Sequence, residues 1–367
     1  MKSRTVRMTL AVVLLALWAS ACGTARPRVI TLAGSSEGYA DGSGSAAQFS
    51  GPLDVAVDTQ GNVYVADSAN HRIRKIAPDG AASLMVVTLA GSDEVFPVDG
   101  PLSEAVFSTP TGIAFAASGA LYVADSAMKD PHPMRVRVIT PAGMVTTLAG
   151  SGQAGYVDGV GLDAQFKSPA SLAVDQAGNV YVADTTNNRI RKIAPDGMVT
   201  TLAGSTETGY AAGYADGPAS QALFQGPRSV DVDGAGNVYV ADTGNHCIRV
   251  ISPDGATSFI VTTLAGTPEP GYADGQGAVA RFNFPSGIAV DAQGNVYVAD
   301  TANHRIRKIT PGGAVTTLAG SGTPGNADGP AIEARFRGPE GVAVDSAGNV
   351  YVADTGNHRI RKVVIRD

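Results

Sequence analysis

Four charged residues stand at positions where a recurring segment of this chain otherwise carries neutral side chains. They are Asp54, Arg228, Asp231 and Glu340, and the first, second and fourth lie within two residues of a proline that opens the segment. Carboxylates and an arginine brought close together can bind a polar or charged ligand. We therefore take these four residues as candidates for a mixed-charge ligand site. The alternative is sequence drift between the copies, with each charge paired locally.

The recurring unit is defined by a segment ending in Tyr-Val-Ala-Asp, whose aspartates are spaced by 58, 59, 58, 58 and 54 residues. A fixed period of this length indicates a repeat architecture. Each unit, such as the one from Gly287 to Leu318, reads as four short strands separated by turns. We therefore predict an all-β fold, a six-bladed β-propeller of four-stranded blades. The aspartates are Asp67, Asp125, Asp184, Asp242, Asp300 and Asp354.

The two ends of the repeat complement each other. The sixth unit lacks a fourth strand, whereas a matching segment, Val29 to Gly34, precedes the first unit. We predict that this N-terminal strand completes the last blade and closes the ring, which hides sheet edges that would otherwise pair with other chains. The expected organisation is a signal peptide over 1–21, a short tether over 22–27 and the propeller over 28–367.

The N-terminus has the pattern of a secretory signal: a basic start, an apolar run of 11 residues from Met8 to Trp18, and Ala-Ser-Ala before Cys22. This run is too short to span a bilayer, which takes about 20 residues. The pattern resembles a bacterial lipobox, although Ala19 stands where lipoproteins usually have Leu. We expect Cys22 to carry lipid and to anchor the protein in the cell envelope, on the extracytoplasmic side of a membrane; plain secretion is the alternative.

Each unit also carries a second motif after its Tyr-Val-Ala-Asp segment, Asn-His-Arg-Ile-Arg-Lys at 303–308 being one copy. Together the two motifs resemble NHL repeats. This resemblance implies the propeller fold, but NHL-type propellers include protein-interaction, RNA-binding and sensor domains, and lyases and lactone hydrolases are among their relatives. The formal net charge of −6, with Lys2, Arg4 and Arg7 all in the signal segment, excludes nucleic acid as the expected partner.

Residues that recur in every unit are interpreted as architectural. We predict that the tyrosine of each Tyr-Val-Ala-Asp segment packs between blades, and that its aspartate accepts backbone N–H bonds in the turn that follows. The Asp-Gly pairs that begin at Asp41 and recur to Asp328 are predicted to form tight turns. The histidines at one repeat position are predicted to be turn residues rather than metal ligands, which would have to converge. They are His71, His246, His304 and His358.

The second unit has a longer loop, residues 128–134, which contains Lys129 and His132. Extra loops on rigid scaffolds often carry recognition. These two residues are therefore loop candidates for binding, with loop drift as the alternative.

Two functions remain open. The first is a non-catalytic scaffold, expected to be monomeric and without a cofactor, that binds a protein, peptide or glycan. The second is a metal-dependent lactonase- or lyase-like enzyme with its site at the mouth of the central channel. A calcium ion held by Asp54, Asp231 and Glu340 would support it. Peptide-amidating lyases, which the repeat pattern resembles, place zinc histidines just after the inner-strand prolines. Here those positions hold no histidine, which argues against the lyase; the residues are Leu53, Thr111, Ala170, Arg228, Ser286 and Glu340.

Overall fold

The structure is a computed structural model that describes residues 26–79, 83–126, 134–205, 211–255 and 257–365. The predicted signal peptide, Cys22, Lys129 and His132 lie outside these residues. Within the described ranges, no helix is both long enough and apolar enough to cross a membrane.

The described chain forms six antiparallel sheets of five strands each, so the predicted all-β six-bladed propeller is confirmed, with one strand more per blade than expected. We number the blades in the chain order of their inner strands, which surround a central channel. The inner strands are Pro52–Val57, Pro110–Phe115, Pro169–Val174, Pro227–Val232, Pro285–Val290 and Val342–Val344. The second strands are Val63–Asp67, Leu121–Asp125, Val180–Asp184, Val238–Asp242, Val296–Asp300 and Val350–Asp354.

The outer part of each blade has three strands. The third strands are Arg72–Pro78, Arg135–Ile139, Arg189–Ile193, Cys247–Pro253, Arg305–Ile309 and Arg359–Val364. The fourth strands are Leu84–Gly91, Met144–Ala149, Met198–Ala203, Phe259–Gly266, Ala314–Ala319 and Arg28–Ala33. The fifth, two-residue strands are Gly42–Ser43, Gly100–Pro101, Gly159–Val160, Gly217–Pro218, Gly275–Gln276 and Gly329–Pro330. Single 3₁₀ turns occur at Ser68–Asn70, Gly161–Asp163, Thr185–Asn187, Thr243–Asn245, Gly277–Val279, Thr301–Asn303 and Thr355–Asn357.

The N-terminal strand closes the ring as predicted. Arg28–Ala33 pairs antiparallel with Arg359–Val364, with Val29 opposite Val363. Its other edge pairs with Gly329–Pro330. Blade 6 is therefore assembled from both ends of the propeller sequence, and the sheet order of the other five blades is reproduced.

The hydrophobic core lies between neighbouring blades. Except at Tyr122, the second strands are buried along their whole length. In the interface between blades 1 and 2, Tyr64 stacks on Phe115 with ring centroids 5.6 Å apart. The predicted packing of the tyrosines between blades is confirmed by the six apolar clusters, each of which joins adjacent blades. The Tyr64 hydroxyl also donates to Asp58 at 3.2 Å.

A buried arginine in each third strand organises its blade, a feature that the sequence analysis missed. In blade 5, the Arg307 guanidinium donates to Asp300 at 2.7 Å and to Asp274 at 2.7 Å. Asp300 also accepts the backbone N–H of Asn283 at 2.8 Å. This N–H belongs to the loop before the inner strand and not to the turn that follows Asp300, so the predicted location of the bond is wrong. Asp274, the Asp-Gly aspartate, accepts the N–H of Thr317 in the fourth strand. The Asp-Gly residue is thus an ion-pair partner and not only a turn former. The six arginines are Arg74, Arg137, Arg191, Arg249, Arg307 and Arg361.

Candidate functional site

The end of the channel at which the inner strands begin, here called the mouth, opens into a cavity with an empty volume of about 690 Å³ including its opening. Most of its walls come from the two residues that follow each channel proline, which lie in the inner strand of blades 1 to 5 and just before it in blade 6. The side chains are mainly small. The lining includes Leu53, Asp54, Thr111, Ala170, Ser171, Arg228, Ser229, Ser286, Gly287, Glu340 and Gly341.

Arg228 and Glu340 form an ion pair within this mouth. The Arg228 Nη2 lies 3.1 Å from the Glu340 Oε2, and the two side chains are 37% and 21% exposed. The residues belong to blades 4 and 6, so the pair bridges across blade 5, whose residue at the corresponding position is Ser286. Burial raises the pKa of Glu340, and the Arg228 charge opposes this rise. The pair presents one positive and one negative group that solvent can still reach.

Asp54 lies at the waist of the channel, where it lines both the mouth cavity and a second cavity behind it. Its carboxylate accepts the N–H of Ile113 in blade 2 at 3.1 Å and that of Val55 at 2.9 Å. Burial raises the pKa of Asp54 to about 7. A Cβ at Gly341 would lie 2.3 Å from the Asp54 Oδ1, so this approach of blade 6 requires glycine. Asp54 therefore links adjacent inner strands besides facing the cavity.

Asp231 lines only the second cavity. Its carboxylate accepts the N–H of Val290 in blade 5 at 2.7 Å and that of Val232 at 2.8 Å. Burial raises the pKa of Asp231 to about 6. The structure thus brings Arg228 and Glu340 into contact, adds Asp54 below them, and places Asp231 deeper in the channel.

A calcium ion at this site would need several oxygen ligands close together. Among the residues that the structure describes, no group of three or more His, Cys, Asp or Glu side chains is placed to hold a metal ion. The carboxylates of Asp54 and Asp231 are engaged by backbone N–H groups, and that of Glu340 by an arginine. Calcium binding by these three residues stays a prediction, without a preformed ligand set to support it.

The repeated histidines are turn residues, as predicted. Each lies in the left-handed region at the end of a 3₁₀ turn, with φ of 57°, 53°, 55° and 54° at His71, His246, His304 and His358. Sequence reasoning missed that their rings reach the next blade, as shown by the 3.1 Å bond from the Gly338 N–H to the His304 Nδ1. A sequence signal existed: the acceptor stands at a constant position, and the donor directly precedes an inner-strand proline.

Comparison with known proteins identifies the repeat. The model of the NHL repeat family matches residues 49–76, 166–193, 224–251, 282–309 and 336–363. Five of the six blades contain NHL repeats. The matched segments belong to blades 1, 3, 4, 5 and 6. In blade 2, Ala116 replaces the aspartate that holds the tyrosine hydroxyl elsewhere, as Asp58 does for Tyr64.

Two curated relatives show the extent of the similarity. The chain is 30% identical over 327 residues to Protein SUPPRESSOR OF QUENCHING 1, chloroplastic, of Arabidopsis thaliana, covering 85% of this chain and 30% of that protein. It is 30% identical over 351 residues to NHL repeat-containing protein 2 of Bos taurus, covering 84% of this chain and 46% of the relative. The chain therefore spans less than half the length of these relatives.

Solved structures share the fold. An auxiliary nutrient binding protein from Bacteroides thetaiotaomicron has a TM-score of 0.69 at 19% identity, over 93% of this chain and 77% of that one. A gluconolactonase from Xanthomonas campestris has a TM-score of 0.58 at 13% identity, over 92% and 89%. At these identities the similarity shows the fold alone, because one propeller scaffold hosts many activities.

Proposed function

We propose that this propeller of NHL repeats is a non-catalytic binding scaffold that takes a charged segment of a peptide or protein at the channel mouth. The Arg228–Glu340 pair is the observation that carries the proposal. It presents both signs of charge above a cavity whose other walls are mostly small and neutral. Peptides offer a matching carboxylate and ammonium or guanidinium group.

The energetics of the pair favour exchange with a ligand. A partly exposed ion pair contributes about 0–1 kcal/mol to stability, so opening it costs little. A ligand carboxylate can then form two parallel hydrogen bonds with the planar Arg228 guanidinium. A ligand cation would take the Glu340 carboxylate, which replaces one charge pair by two. The neighbouring hydroxyls of Thr111 and Ser286 add polar groups to the same cavity.

The proposed location is the cell envelope, on the extracytoplasmic side. This part of the proposal rests on the signal-like residues 1–21 and on Cys22 as the lipid acceptor. Incorporation of labelled palmitate into the expressed protein tests it, with Cys22→Ser as the matched control. Equal labelling of both proteins would contradict lipid anchoring at this residue.

Peptide selection tests the binding role. Phage-displayed peptides are selected on the purified protein, and enriched peptides are titrated calorimetrically. We expect Arg228→Ala and Glu340→Ala each to weaken binding at least tenfold. Arg335→Ala is the control, because Arg335 is exposed and outside the mouth lining. Peptides whose binding neither mouth variant changes would contradict the proposed site.

Calorimetric titration also tests the enzymatic alternative. Ca²⁺ and Zn²⁺ are titrated into chelator-stripped protein and into the variant with Asp54, Asp231 and Glu340 changed to Ala. Tight binding that the variant loses would favour a metal-dependent lactonase- or lyase-like function over the scaffold.

A further inference from the structure

One side chain at a constant repeat position ties each of the six blades to the loop that leads into the next inner strand. In blade 5 this residue is His304, whose Nδ1 accepts the N–H of Gly338 in blade 6 at 3.1 Å. In blade 3 it is Asn188, whose Oδ1 accepts the N–H of Gly226 in blade 4 at 2.8 Å. Both acceptors have the same left-handed backbone, with φ of 55° and 53°.

These two joints hold the two residues of the mouth ion pair. Gly338 is followed by Pro339 and Glu340, and Gly226 by Pro227 and Arg228. A second bond reinforces each joint: the Thr301 hydroxyl donates to the Pro339 carbonyl at 2.7 Å, and the corresponding threonine of blade 3 does the same at Pro227. The position of each mouth charge is thus set by the blade that precedes it.

The two joints differ in their response to protons. The Asn188 amide keeps its acceptor oxygen at every physiological pH. The His304 Nδ1 accepts only while the ring is neutral with its proton on Nε2, and a protonated ring would turn a donor toward the Gly338 N–H. Three charged groups face this imidazole: Arg305 on its own strand, Arg337 on the blade 6 loop and Asp354 at the end of the next second strand. Burial and the two arginines lower the pKa of His304 while Asp354 opposes them, so the acceptor form is present at neutral pH.

We infer that His304 is a positioning residue for the mouth, and that proton uptake by its imidazole breaks the bond to Gly338 and loosens the segment from Gly338 to Glu340 while the Arg228 side stays in place. The Thr301 hydroxyl still donates to the Pro339 carbonyl, and the Glu340 N–H still donates to the Ala353 carbonyl at 3.0 Å, so the segment shifts without leaving the channel. The loosening follows from the joint itself; its effect on ligand affinity rests on the binding role proposed above. The acidified mouth would have a weakened Glu340 side of its ion pair and an unchanged Arg228 guanidinium. It would then favour anionic over cationic ligand groups.

Of the other histidines, His358 in blade 6 forms the same kind of joint, because its Nδ1 accepts the N–H of Gly51 at 3.1 Å in the loop that leads to Asp54. His71 and His246 do not reproduce the effect. His71 faces the Ser108 carbonyl, so its Nδ1 must carry the proton as a donor, and a second proton on the ring leaves that bond intact. His246 accepts the N–H of Phe284 at 3.1 Å, but the loop it holds leads to the neutral Ser286. His246 therefore offers a matched joint without a mouth charge.

The test follows backbone amides of the purified, ligand-free, ¹⁵N-labelled protein from pH 8 to pH 5 by TROSY spectroscopy. The Gly338 amide should lose its hydrogen-bonded shift as His304 titrates, whereas the Gly226 amide should stay in place. His304→Asn copies the joint of blade 3, so Gly338 should keep its shift throughout. His246→Asn is the control: the amide shift of Gly338 should still change with pH, whereas that of Phe284 should no longer change.

Two outcomes would overturn the inference: a Gly338 amide that does not respond to pH in the unmodified protein, or the same response in His304→Asn. Because Glu340 and Asp54 also titrate, the decisive quantity is the difference between the Gly338 shift–pH curves of the unmodified protein and of His304→Asn. If mouth-binding peptides are found, their affinity should fall on acidification more in the unmodified protein than in His304→Asn. The spectra need no ligand, so a failure of the peptide selection leaves this test standing.

Discussion

Two arginine–carboxylate pairs in the described part of the chain, the one at Arg307 and the one at Arg228, differ in every respect that bears on function. Arg307 is fully buried, contacts two aspartates at 2.7 Å each and has a counterpart in every blade. Arg228 is 37% exposed, contacts one glutamate at 3.1 Å and has no counterpart. The Arg307–Asp300 pair is fully buried and repeated in every blade, so it is out of reach of a ligand and stabilises the fold. A single, accessible pair is free to exchange its partner.

Opening the ring should have the largest effect, since both pairs depend on the closed propeller. Deleting Arg28–Ala33 removes a strand that pairs on both edges and buries Val29. With about 1 kcal/mol for each lost hydrogen bond and 1.5–3 kcal/mol for the valine, we expect a loss of about 5 kcal/mol or more. Calorimetry would record it as a much lower or a lost unfolding transition.

A synthetic peptide of residues 26–34 serves as the control for this deletion. Added in trans, it should restore part of the transition by occupying the vacated edge of blade 6. An unchanged transition in the deletion protein would show that closure contributes little to stability.

The buried pair comes next. Arg307→Leu leaves the carboxylate of Asp300 buried without its cation, and breaking such a pair costs about 3–5 kcal/mol. The matched control is Arg305→Leu, two residues away, where the guanidinium donates to the backbone carbonyl of Ser321 and stacks on Tyr272. Chemical denaturation of both variants gives the two free energies of unfolding. Equal losses of unfolding free energy in the two variants would show that the Arg307 network stabilises the blade no more than the neighbouring Arg305 does.

The fold was predictable because short alternating strands, turn residues and a displaced terminal strand are all visible along the chain. The fifth strand was not, because two residues such as Gly42–Ser43 carry no alternation, and their place depends on the pairing of Asp41 with Arg74. Arg228 and Glu340 could be selected because they break the repeat, but their contact spans blade 5. Asp54 and Asp231 break it equally, and nothing in the sequence shows that they bind backbone N–H groups of the next blade.

The pH dependence of stability tests the role of Asp54, an aspartate that has no counterpart in the other blades and yet links two inner strands. Its pKa is raised from 3.8 to about 7 by burial, so the folded state binds a proton that the unfolded state has released. Stability should therefore be highest below pH 4 for this group and fall as the pH rises to 7, by at most about 1.4 kcal/mol per pH unit. Asp54→Ser should flatten that part of the stability–pH curve.

Asp54→Ser introduces the residue that blade 4 already has at this repeat position. At the same repeat position in blade 4, the Ser229 hydroxyl accepts the N–H of Ile288 at 3.2 Å, as Asp54 accepts that of Ile113. The bond between blades is therefore retained while the charge is removed. Asp79→Asn, at an exposed turn, is the control and should leave the curve unchanged. A curve for Asp54→Ser parallel to that of the unmodified protein would contradict a raised pKa at the waist.

Loss of the mouth pair should have the smallest effect on stability and a large effect on ligand binding. Glu340→Gln removes the charge and keeps the shape, and a pair this exposed contributes less than about 1 kcal/mol. Binding of a selected peptide should nevertheless fall at least tenfold, since the ligand cation loses its partner. Denaturation and calorimetric titration of the same preparation measure both quantities. A large loss of stability with unchanged binding would place the mouth pair among the architectural arginines, whereas the opposite combination separates a site from a scaffold within one repeated fold.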